Sequence, residues 1–185
     1  MELVISNAER RALTANESLV LPRVSDIYAA MPGITGKLEL EYEGEMKGAD
    51  TVVRDLIRTA VGKIYDRYFA GVDTEQIELW FNLGGTVKFD DNQPAAAALS
   101  DLKEIQGLFE KLTTLDVKLS DSAPKLVAAA EFLLEGLVAH RKLSRSEEHG
   151  FAAPENTSRK QEKQKLEVDY EDWQRNRRKS RGGLN

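Results

Sequence analysis

The sequence predicts an all-α protein: a helical bundle with a C-terminal helix pair and an extended charged tail. Two observations carry that prediction. Apolar residues recur at spacings of three and four through residues 50–69, 94–112 and 124–138, which places them on one face of a helix. The one alternating stretch, Leu38 to Glu43, has no second strong strand nearby to pair with. A chain of 185 residues, 41% of them hydrophobic, suits one domain, or one domain plus an appendage, and can bury a single core of ordinary size.

Residues 2–15 read as a helix with Leu3, Val4, Ala8 and Leu13 on one face and Glu9, Arg10 and Arg11 over much of the rest. Asn16-Glu17-Ser18 breaks it, and Pro22 fixes the chain locally. Ser25 or Asp26 is then placed to cap a short helix through Ile27, Ala29, Ala30 and Met31. Residues 34–43 fit two periods. Leu38, Leu40 and Tyr42 alternate with Glu39, Glu41 and Glu43, whereas Ile34, Leu38 and Tyr42 are spaced by four. Helix is preferred, with Pro32 as its first residue.

Residues 50–69 give the clearest helix. Val52, Val53, Leu56, Ile57, Ala60, Val61, Ile64, Tyr65, Tyr68 and Phe69 form its apolar stripe, Asp50 is its N-cap and Gly71 its stop. Arg54, Asp55, Arg58, Lys63, Asp66 and Arg67 cover its outside. A shorter helix over 73–82 turns Ile77, Trp80 and Phe81 inward behind an Asp73 or Thr74 cap. Leu83-Gly84-Gly85-Thr86 breaks it, and Val87 to Asn92 reads as extended. Pro94 opens a helix through Leu99, Leu102, Ile105, Leu108, Phe109 and Leu112. After a break at 120–123, Pro124 opens another, with Leu126, Val127, Ala130, Leu133, Leu134, Leu137 and Val138 on one face. These last two elements read as an antiparallel pair. Beyond about residue 145 the chain turns polar, Phe151 apart, and a charged helix over 160–174 carries Leu166, Val168, Tyr170 and Trp173. The tail is expected to be partly helical or disordered unless docked.

Composition removes several function classes. Without cysteine there is no disulfide framework and no thiolate metal site. Two histidines, His140 and His149, do not make a histidine-rich metal site. No apolar run approaches the roughly 20 residues of a membrane span, and MELVISNAERRAL is not a signal peptide, so the chain reads as soluble and cytoplasmic. The net charge of −5 hides an asymmetry: RNRRKSRGGLN, the last eleven residues, carries +5, which leaves −10 on residues 1–174.

PGITGKLELEYEGE, residues 32–45, contains a Gly36-Lys37 pair of the kind found in phosphate loops. A Walker A loop would need glycine where Met31 stands and a hydroxyl where Leu38 stands. Glu39, Glu41 and Glu43 would also repel a phosphate; they read as a solvated acidic edge. Gly84-Gly85-Thr86 fits a helix stop. No cysteine nucleophile, G-x-S-x-G elbow or H-E-x-x-H pair is present. No catalytic, cofactor-binding or metal-ligating residue is therefore assigned.

Three strings nevertheless carry a family likeness: ISNAERRAL (5–13), PRVSDIYAAMPGITGKLELEYEGE (22–45) and DLIRTAVGKIYDRYF (55–69). In this order they resemble the C-terminal part of the AAA+ ATPase subunit of magnesium chelatase and its bacterial relatives. The resemblance covers roughly residues 3–82 and corresponds there to the helical lid that follows the nucleotide-binding core. It implies a lid-like helical domain over 1–92; the apolar spacing adds a helix-pair extension over 93–145 packed on it, and the composition a charged tail over 146–185. The family's Walker A loop, Walker B acid, sensor 1, arginine finger and sensor 2 arginine lie before the first matched string, so none can be carried onto this chain. Arg10, Arg11 and Arg23, inside the matched strings, read as surface salt-bridging or bundle-edge residues.

The implied chain is not an enzyme by itself, while a parent protein would hydrolyse ATP with magnesium. Its implied partners are the parent's AAA+ core, ring neighbours and a protein with a von Willebrand A-type domain. The chain reads either as a piece of a longer ATPase or as one that has lost its motor core; the helix opening at Met1-Glu2-Leu3 favours the piece, and the chain alone reads as a monomer or weak dimer. A second reading is a freestanding helical module whose basic C-terminus grips an acidic partner or nucleic acid, with Tyr170 and Trp173 stacking on bases. Nucleic acid is disfavoured because no nucleic-acid fold motif accompanies that tail. A hydrolase using paired carboxylates has no supporting spacing.

Overall fold

The computed structural model describes residues 1–39, 47–90, 93–146 and 148–154. Leu40, Glu41, Tyr42 and Glu43, the end of the ambiguous stretch, lie outside the described residues, as do Asn92 and the charged tail over 155–185 with its basic terminus. The chain divides into a unit Met1–Ala153 and a second, Pro154–Asn185, of which only Pro154 is described.

The first unit is mostly helical. Among the described residues it contains α1 (Glu2–Thr14), α2 (Val24–Ala29), α3 (Met31–Thr35), α4 (Ala49–Phe69), α5 (Glu75–Asn82), α6 (Ala95–Leu102), α7 (Leu108–Leu112) and α8 (Ala123–Ala139). A short antiparallel hairpin of β1 (Ser144–Ser146) and β2 (Gly150–Ala152) follows. Among the described residues no helix is long and apolar enough to cross a membrane.

α8 is the axis of the unit. Leu126, Val127, Ala130, Leu133, Leu134 and Leu137 are buried as their spacing predicts, and Ala129 and Gly136 are buried too, so the helix is enclosed on nearly every side. Its most extensive partner is α4, and α2, α6 and α7 also pack on it. Two apolar clusters result. One gathers Tyr65, Phe69, Ile77, Phe81, Leu102, Leu108 and the α8 leucines; the other gathers Val24, Met31, Val53, Ile57 and Val61. Phe132 of α8 packs against both.

Several local expectations change. On α1 the buried residues are Ala8, Arg11 and Ala12, while Leu3 is half-exposed and Leu13 is 80% exposed. The helix therefore seats on α2 through Ala8, as predicted, together with Ala12 and Arg11, and not through Leu13. Glu17, in the break after α1, reaches across to accept the Ala95 N–H at 2.6 Å and so caps the start of α6. The α2 helix begins at Val24 with Arg23 in the cap position; Asp26 serves it from the third helical position by accepting the Arg23 N–H at 2.7 Å. Helix α3 stops at Thr35, with Gly36 and Lys37 in a turn and Leu38 and Glu39 in no regular structure, so the preferred helix does not run through 36–39.

Gly48, at φ 78°, and not Asp50, occupies the N-cap of α4. The predicted single helix over 94–112 is two helices: α6 ends at Leu102, residues 103–107 turn, and Gly107, left-handed at φ 77°, stands at the N-cap of α7. The hairpin was not anticipated from the polar sequence after residue 145. It forms around Phe151, which is only 1% exposed and exchanges two backbone hydrogen bonds with Val87, at 3.1 and 2.7 Å. Val87, read as extended, thus forms an isolated antiparallel bridge to the hairpin.

Candidate functional site

Two polar constellations stand out in the first unit. The first is a buried ionic network joining α1, α2 and α8. The Asp26 carboxylate accepts from Asn7 Nδ2 at 2.7 Å, from Arg11 Nε at 3.4 Å and Nη2 at 3.1 Å, and from the Arg23 N–H. Arg11 Nη2 also donates to the Leu21 carbonyl at 2.7 Å. On the other side of α2, Glu131 of α8 accepts the Ser25 N–H at 2.7 Å and lies 3.6 Å from Arg23 Nε. Arg11 and Arg23 are 4% and 6% exposed, and Asp26 and Glu131 are fully buried.

This corrects the reading of Arg11 and Arg23 as surface or edge residues; Arg10 alone stays outside, donating to Asn7 Oδ1 at 2.9 Å. Desolvation offsets most of the attraction in a buried ion pair, so the value of such a network lies in fixing geometry more than in net stability. Here it fixes α1 and α2 on the central helix. Sequence reasoning recognised the carboxylate at position 26 as a cap but had no signal for Glu131, whose partners are remote in the chain.

The second constellation is a basic cleft of about 340 Å3 bounded by α2, α4, the connector after α5 and the hairpin. Arg54 and Arg58 reach it from successive turns of α4, Lys88 from the connector and Arg145 from β1. Arg145 pairs with the buried Glu135 of α8, and its guanidinium lies 5.3 Å from the Tyr28 ring centre and 5.2 Å from that of Phe151. Such cation–π contacts hold the side chain between two aromatic faces. Phe89 packs edge-on against Phe151, with 5.7 Å between ring centres.

Burial pushes the Tyr28 phenol above its ordinary pKa, and the positive charges of Arg145, Arg58 and Arg54 pull it back down. The guanidinium groups therefore act on one spot. Four cations against the single Glu135 carboxylate give the cleft lining a net +3, in a chain of net −5. Arg54 and Arg58, read from sequence as the outer cover of their helix, lie on the wall of this cleft. Lys88 and Arg145 carried no local signal, because only the fold brings them there.

The glycine-lysine stretch that suggested a phosphate loop is placed otherwise. Gly33 lies within α3 against Leu3, and Gly36-Lys37 forms the turn that ends it. Gly84, at φ 101°, follows α5 as a helix stop. Among the described residues, no group of three or more His, Asp or Glu side chains is arranged to hold a metal ion. Comparison with known proteins finds no family model, no curated protein and no solved structure that matches the chain.

Proposed function

We propose that this chain is the helical lid and C-terminal extension of a magnesium-chelatase-like AAA+ ATPase, a rigid body that transmits ATP-driven motion to ring neighbours or to a partner protein. The observation that carries the reading is the ordered trio of strings at 5–13, 22–45 and 55–69. The buried network adds a physical reason for their polar content. Asn7 and Arg11 come from the first string, and Arg23, Ser25 and Asp26 from the second, and together they seat α1 against α2. A lever must be stiff to pass on a rotation, and buried hydrogen bonds from Asn7, Arg11 and the Arg23 N–H to the one Asp26 carboxylate favour one geometry.

On this reading ATP and magnesium belong to the nucleotide-binding core of a parent protein, and the chain has no hydrolytic activity of its own. A partner with a von Willebrand A-type domain follows from the family resemblance alone. Two measurements test the reading. The coding sequence immediately upstream of Met1 is expected to hold an in-frame Walker A motif, and calorimetry on the isolated chain to show no magnesium-dependent ATP binding. An upstream stop codon with no such motif, or tight ATP binding that requires magnesium, would overturn it.

A further inference from the structure

The basic cleft has no part in the lever reading and does not depend on it. We propose that it is an oxyanion-recognition site that takes a multivalent phosphate group. Three features favour this. First, Arg54, Arg58, Lys88 and Arg145 come from three separate parts of the chain and converge on one cavity, on a protein whose overall charge would otherwise repel anions. Second, Arg145 is already ordered, paired with Glu135 and flanked by Tyr28 and Phe151, so little side-chain freedom is lost when a ligand binds. Third, guanidinium forks match phosphate oxygens in pairs, and phosphate concentrates more charge in a small volume than a carboxylate does. At about 340 Å3 the cavity lies at the lower end of the small-ligand range, the size of a diphosphate group with a small substituent.

The test is calorimetric titration of the protein with inorganic pyrophosphate in low-salt buffer free of magnesium. Saturable binding is expected, weakening as salt rises toward about 0.15 M. The double variant Arg58→Gln/Lys88→Gln should bind about tenfold more weakly or worse, because each side chain supplies a charge-assisted contact. Both side chains are exposed, so its melting temperature should match that of the parent. A control, Lys63→Gln/Lys103→Gln, removes two exposed cations outside the cleft lining and should bind normally. Magnesium should weaken binding by neutralising the phosphates.

Absence of binding, or equal binding by the Arg58/Lys88 variant, overturns the proposal and leaves the lid reading standing. Binding of a glutamate-only peptide with pyrophosphate silent makes the cleft a carboxylate-docking face and also overturns it. Binding that appears only with ATP and magnesium overturns both readings.

Discussion

Gly136 stands in α8 where it meets the Tyr65 ring of α4, and an added methyl group there would fall inside that ring. The ring has little room to step aside, because it is stacked on Phe69 with centres 4.7 Å apart and also contacts the His140 ring at 5.3 Å. Gly62, on the facing helix, leaves room for Ala139 in the same way, since a Cβ there would lie 3.2 Å from the Ala139 methyl. The two glycines therefore let α4 and α8 approach more closely than side chains would allow. Gly136→Ala is expected to destabilise the protein by about 1–3 kcal/mol through overpacking, despite the better helix propensity of alanine. A urea melt followed by circular dichroism checks it; a midpoint equal to or above that of the parent would mean the interface has slack.

At the scale of elements, the hairpin shows what a short apolar anchor does in a polar segment. Phe151 reaches a core supplied by Val87, Phe89 and α8, and its amide and carbonyl both pair with Val87. Phe151→Ala is expected to cost about 3–5 kcal/mol, the usual range for truncating a buried aromatic ring. Hydrogen exchange tests the same contact: the Val87 and Phe151 amides should exchange slowly in the parent and rapidly in the variant. The sequence showed Phe151 as the single large apolar residue in its neighbourhood, yet its pairing partner lies more than sixty residues earlier, and no local pattern reveals that. Helices α4 and α8 were legible because their stripes repeat over many turns. The face of α1 was legible only in part: Ala8 is buried, but Arg11 and Ala12 share its contact, Leu3 is half-exposed against Gly33 and Leu13 stays out. The break over 103–107 was not legible, because a short turn ending in one left-handed glycine weighs little against a long apolar period. The cleft was invisible for a related reason: its cations are individually ordinary, and only the fold brings them together.

For the molecule as a whole, the two apolar clusters are divided between the halves of α4 and joined through Phe132. Neither can open without exposing the long helices that carry the other. Residues 1–153 are therefore expected to unfold in one cooperative step. In a Trp173→Phe background, near-ultraviolet circular dichroism from Trp80, which packs edge-on against Phe81, should lose intensity at the same urea concentration as far-ultraviolet helicity. Two separated transitions would show that the clusters are independent. The bond from the Ser25 N–H to Glu131 spans 106 positions of sequence. During synthesis, then, the Arg23 side chain and the Ser25 amide must wait, hydrated, until the seventeen-residue α8 has emerged to pair with them. The first third of the chain cannot reach its finished arrangement while still alone at the ribosome, and a nascent chain stalled before residue 123 would present an open, water-filled seam.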